Sequence, residues 1–100
     1  MKTLQLILLF LILGDICHGQ TANEYFDRGT AKYALGNYKD AIADYSKAIE
    51  INPKYPIAYY NRGNIKEELN DLQGAMADYN KAIEIIPEYA DAYNNRGIVK

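Results

Sequence analysis

The side chains that usually carry covalent chemistry are scarce in this sequence. The one histidine and the one cysteine stand side by side, as Cys17 and His18, and the one serine is Ser46. Acyl transfer through a serine or cysteine needs an imidazole base that a third group holds in place. The N-terminal reading given below removes Cys17 and His18 from the mature chain, and zinc sites built from those residue types go with them. Carboxylates are more numerous. Glu67 and Glu68 are adjacent, but neighbours on a helix point in different directions. They cannot flank a scissile bond as a pair of hydrolytic carboxylates does. The glycines are spread out rather than gathered into a phosphate-cradling loop. The sequence therefore offers no catalytic residue, no metal site and no cofactor site.

The cations carry more information. Arg28, Arg62 and Arg96 lie 34 residues apart, as do Lys32 and Lys66. One reading is a basic ladder for an anionic ligand. The other is that the aliphatic stems pack while the charged heads reach water or an acid, with Asp44 and Asp78 as the candidate acids. The net charge of −2 and the pI near 5.3 favour the second reading. They also argue against nucleic acid as a partner, since a nucleic-acid binder carries a strongly basic face.

These charges belong to a larger pattern. Tyr25, Arg28, Gly29, Ala41, Tyr45, Lys47, Ala48, Ile49, Glu50 and Pro53 return 34 residues later as Tyr59, Arg62, Gly63, Ala75, Tyr79, Lys81, Ala82, Ile83, Glu84 and Pro87. Tyr93, Arg96 and Gly97 begin a third copy. A period of this length marks a stacked array, whose units bury their apolar faces only against neighbours.

Each copy predicts two helices. Thr21-Ala22-Asn23-Glu24 has the spacing of a capping box, and the helix it opens runs to about Leu35. Gly36 and Asn70 fall where a left-handed residue ends a helix. Asn37 and Asp71 are placed to cap the second helices. Those run to about Ile51 and Ile85, and Pro53 and Pro87 follow where a helix cannot continue. Pro56 suits a first helical turn. Ala41, Tyr45, Ala48 and Ile49 keep the rhythm of a buried helical face, as do Ala75, Tyr79, Ala82 and Ile83. The small residues Gly29 and Ala41, and Gly63 in the second copy, predict close helix approach with the tyrosine filling the space beside it.

On these residues the chain resembles a tetratricopeptide repeat protein. Tyr25, Gly29, Ala41, Tyr45, Ala48 and Pro53 match the signature positions, and so do Tyr59, Gly63, Ala75, Tyr79, Ala82 and Pro87. The resemblance implies an all-α fold, an α-α superhelix of stacked antiparallel helix pairs, with a concave face lined by first helices. It also implies that the groove positions are Asn23, Phe26, Thr30 and Tyr33, then Ile57, Tyr60, Asn64 and Glu67, then Asp91, Asn94 and Ile98. Aromatic rings there supply contact area and amides can bond a peptide backbone. Some relatives clamp a partner's C-terminal carboxylate with lysine and arginine. Phe26, Thr30 and Asp91 stand at three of those positions, so that clamp is not expected.

The organisation expected is a signal segment over 1–19 and an array over 20–100, with repeats 22–55 and 56–89 and a partial repeat 90–100. Lys2, the apolar run Leu4–Leu13 and the more polar Gly14–Gly19 have the three-part form of a secretory signal, cut after Gly19. The run is about half of the roughly 20 residues a membrane span needs. Export is therefore expected, with no stable membrane insertion after cleavage. The alternatives are an uncleaved apolar anchor or a lipidated Cys17, against which Ile16 is too large. The function expected is binding of a protein or peptide partner. The competing reading is an assembly element, or a piece of a longer array: Tyr93 and Gly97 are packing residues without a second helix to receive them, so weak self-association through 91–100 is a further expectation.

Overall fold

The structure is a computed structural model. It describes residues 20–99, and of residues 90–92, 98 and 99 the backbone alone. The expectations placed on 1–19 lie outside the described residues, as do those on the side chains of Asp91 and Ile98. Five helices follow one another: α1 (Ala22–Ala34), α2 (Tyr38–Ile51), α3 (Pro56–Glu68), α4 (Leu72–Ile85) and α5 (Ala90–Val99). Helix α1 packs on α2 and α3 on α4, while α2 meets α3 and α4 meets α5. The fold is the all-α stack of helix pairs that the period predicts.

Local chemistry sets the helix ends. At α1, Glu24 N–H donates to Thr21 Oγ1 at 3.2 Å and Thr21 N–H donates to Glu24 Oε1 at 2.8 Å, completing the capping box. Gly36 has φ +81° and Asn70 has φ +66°. Each left-handed residue lets its own N–H and the one after it reach back: Gly36 to Tyr33 O and Asn37 to Lys32 O, then Asn70 to Glu67 O and Asp71 to Lys66 O. These bonds satisfy carbonyls that a helix end would leave bare. The two N-caps differ. Asp71 Oδ1 accepts from Gly74 N–H at 3.0 Å, whereas Asn37 makes no side-chain cap bond. The residue three positions on is Asp40 after Asn37 and Gly74 after Asp71.

The core repeats as the sequence does. Ala41, Tyr45, Ala48, Ala75, Tyr79 and Ala82 are fully buried, and so is Ile65. Tyr45 lies against Gly29, where an added Cβ would sit 2.9 Å from the ring. Tyr79 lies against Gly63 in the same way, at 2.8 Å. Ile65 joins the cluster of Ala41 and Tyr45, so the second repeat closes the core of the first. Burying that side chain stabilises by roughly 1.5–3 kcal/mol, which is available only when the repeats stack.

Candidate functional site

The charged pattern resolves first. Asp44 and Asp78 are buried, at 5% and 3% exposure. Asp78 takes a fork from Arg62, with Nε to Oδ2 at 2.8 Å and Nη2 to Oδ1 at 2.7 Å, and Lys66 Nζ lies 3.1 Å from Oδ2. Asp44 is held by Lys32 at 2.9 Å and more loosely by Arg28 at 3.4 Å. The hydrogen bond that Arg62 donates to Asp78, with the carboxylate charge beside it, pushes the Arg62 guanidinium up from its ordinary value. Each arginine also lies over a ring one turn back: Arg28 over Tyr25, Arg62 over Tyr59 and Arg96 over Tyr93. The cations at 28, 32, 62 and 66 thus neutralise buried acids. They are not a free ladder for an anion.

The predicted groove residues sit elsewhere, and several converge. Tyr33, Asn64 and Glu67 line an open cleft of about 480 Å³ together with Glu68 and Asn95. Tyr33 Oη donates to Glu68 Oε2 at 2.9 Å, and Tyr38 Oη donates to Glu68 Oε1 at 3.3 Å. Burial first, then the hydrogen bond and charge of Glu68, push the Tyr33 phenol up to about 12. The Tyr79 hydroxyl lies 2.7 Å from Glu67 Oε1 and 2.6 Å from Asn64 Oδ1. Its single proton cannot serve both contacts, and the charged oxygen is the stronger acceptor. Burial, followed by the bond to Glu67, pushes the Tyr79 phenol up as well. Asn95 Nδ2 donates to Asn64 Oδ1 at 2.7 Å and to Tyr60 Oη at 3.1 Å. Tyr60 is thereby tied to the same network.

The first-repeat end is built on the same plan. Thr30 Oγ1 lies 2.8 Å from Tyr45 Oη, which also accepts from Asn61 at 3.4 Å. Phe26 stacks on Tyr55, with centroids 5.2 Å apart, and Tyr60 stacks on Tyr89 at 5.4 Å. Tyr55 Oη donates to Asn23 Oδ1 at 2.8 Å. Ile57 is 36% exposed, and Asn94 is exposed on α5; neither lines the cleft. Glu68, Asn95, Tyr55 and Tyr89 belong to this face although the groove positions do not include them. Tyr55/Tyr89 and Asn61/Asn95 do recur at the 34-residue offset, and that was the available signal.

The family model for the TPR repeat matches residues 29–70 and 63–100. The chain belongs to the tetratricopeptide repeat family. Among solved structures it is similar to MamA, with 27% identity and a TM-score of 0.82 over 85% of this chain and 50% of that one. It is also similar to the first TPR of Spaghetti (RPAP3) bound to the HSP90 peptide SRMEEVD, with 29% identity and a TM-score of 0.77 over 80% of this chain and 64% of that one. The second TPR of Spaghetti, bound to the same peptide, shares 26% identity and a TM-score of 0.77, over 80% of this chain and 74% of that one. The chain therefore spans half of MamA and under two thirds of the first Spaghetti domain. No curated protein matches it. Among the described residues, no group of three or more potential metal ligands comes together, and no helix is long and apolar enough to cross a membrane.

Proposed function

We propose that this TPR array is a protein-interaction module that takes an extended partner peptide in the groove lined by Tyr33, Tyr60, Asn64 and Glu67. The supporting observation is the cross-repeat network that holds those side chains. Tyr79, Asn95 and Glu68 fix them from three different helices, so little side-chain freedom is left to lose on binding. Two similar arrays hold a peptide, which supports the same use here. The three-part form of the sequence over residues 1–19 supports export of the module.

The test is a random heptapeptide display library screened against the full chain, followed by titration of an enriched peptide. Tyr60→Ala is expected to weaken binding by about 1–2 kcal/mol, as truncation of a central aromatic anchor does. A folded Tyr60→Ala variant with unchanged affinity would place the binding face elsewhere. N-terminal sequencing of the exported protein tests the leader; a mature chain that still begins at Met1 overturns it.

A second reading draws on α5. An added Cβ at Gly97 meets nothing within 4 Å, where Gly29 and Gly63 each face a tyrosine ring, and Tyr93 is 42% exposed. That open slot suits weak self-association through 91–100. Sedimentation over a wide concentration range tests it, and a monomer throughout rules it out.

A further inference from the structure

The charge of the groove is one-sided. Glu67 and Glu68 line the cleft with Tyr33, Asn64 and Asn95, and that lining contains no cation. Among the described residues, no lysine or arginine forms an ion pair with either glutamate. The six ion pairs found go to Asp44, Asp78, Glu50 and Glu84. The hydroxyls of Tyr33 and Tyr38 hold the Glu68 carboxylate, and Tyr79 holds that of Glu67. These phenols supply direction but no positive charge. An ionised carboxylate has about four acceptor sites, so each glutamate keeps lone pairs for a further donor.

The space in front of them is ample. An extended lysine or arginine side chain fits a cleft of about 480 Å³, and Tyr33 offers a ring beside which an aliphatic stem can lie. An acidic chain end meets the reverse situation. It would bring like charge to Glu67 and Glu68, and like-charge contact across an interface is costly.

We propose that the partner peptide carries a lysine or arginine that seats in this cleft against Glu67 and Glu68. The proposal rests on the peptide-binding reading and gives it a chemical class: a basic peptide. Tyr33, Asn64 and Asn95 then act as the uncharged walls of the site. Both carboxylates contribute charge, and the three phenols that bond to them fix where that charge points.

The same random heptapeptide library, screened against the full chain, separates the two levels of the claim. Enrichment of lysine or arginine at one position is the expected result. Enriched peptides that are neutral or acidic at every position would leave peptide binding intact and sink the basic-residue reading. No enrichment at all would remove both. Titration of an enriched peptide is then expected to show roughly tenfold weaker binding for Glu67→Gln and for Glu68→Gln, which keep the acceptor oxygen but drop the charge. Replacing the peptide's basic residue by norleucine is expected to do the same to the native chain and nothing further to the double variant Glu67→Gln/Glu68→Gln. Full additivity of the peptide and protein changes would mean that the basic residue docks elsewhere. The peptide SRMEEVD with its arginine replaced by norleucine is the acidic control, and tight binding of it would contradict the proposal directly.

Discussion

Replacing Gly63 by alanine tests the packing of the array with the smallest available change. In an open helix interior the substitution stabilises by about 0.5–1 kcal/mol, because glycine gives up more backbone freedom on folding. At Gly63 the new methyl would lie 2.8 Å from Tyr79 Cε1, 3.0 Å from Cδ1 and 3.2 Å from Asp78 Cβ. Carbon atoms sit comfortably about 3.5–4.0 Å apart, so the ring must retreat by nearly an ångström. It has nowhere to go. Tyr79 is fully buried and its hydroxyl is anchored near Glu67 and Asn64, while Asp78 is fixed by Arg62 and Lys66. Overpacking of this kind costs about 1–3 kcal/mol and outweighs the helix-propensity gain, so a net loss of about 0.5–2 kcal/mol is expected. Gly97→Ala is the internal control. Its methyl meets nothing within 4 Å, so the substitution is expected to be neutral or to stabilise by up to about 1 kcal/mol. Urea unfolding followed by circular dichroism reads both. A Gly63→Ala chain as stable as the parent would show that Tyr79 is not wedged against α3. The bulkier Gly63→Leu is expected to cost more still.

Three further outcomes follow from the same geometry. Asp78→Ala strips the counter-charge from Arg62 and Lys66, whose side chains are only 17% and 22% exposed; a loss of about 2–4 kcal/mol is expected. Asp44→Ala is expected to cost less, because Arg28 is 47% exposed and can turn to water; equal midpoints would refute that ranking. The Tyr33 phenol is pushed up from 10.0 to about 12 in the fold, and Tyr79 is raised as well. A raised phenol contributes stability that is complete below pH 10 and lost as pH climbs through the folded value. Alkaline unfolding is therefore expected between about pH 10 and 12, with a shallower slope in Tyr33→Phe. Asp71→Ala is expected to cost about 1 kcal/mol as a lost N-cap, while Asn37→Ala costs next to nothing; matching losses in thermal melts would mean that Asn37 does cap its helix.

The helix pairs were legible because their determinants are local and repeat. Gly36, Asn70, Pro53 and Pro87 punctuate the chain through their own backbone preferences. Asp44 and Asp78 could be matched to the cations because both partners recur at one offset. The groove was harder to read. Glu68 is absent from the groove positions that the family resemblance implies, yet it accepts from Tyr33 and Tyr38 of the preceding repeat. Contacts of that kind depend on how far one repeat rotates on the next, and the period does not encode that angle. Tyr55 and Tyr89 lie outside the helical rhythm, so a helical pattern gave no reason to bring them onto Phe26 and Tyr60. Asn37 and Asp71 hold the same position with similar backbone angles, yet only Asp71 caps its helix; the cap residue and the N3 residue, Asp40 against Gly74, both differ between the two.

Arg62 touches three helices at once: its own α3, Asp78 on α4 through two nitrogens, and Ser46 on α2 through the third. In a one-dimensional array, stability divides into what each unit has alone and what each junction adds. Arg62 enters both quantities, so the unit and the junction cannot be lost separately. The first two repeats are therefore coupled to melt as one body. Arg96 bonds to Asn80 as Arg62 does to Ser46 and lies over Tyr93, but among the described residues it has no ion pair to an acid such as Asp78 gives Arg62. Protection against hydrogen exchange should fall along the array in that order, with α5 opening well before the two pairs that Arg62 rivets together.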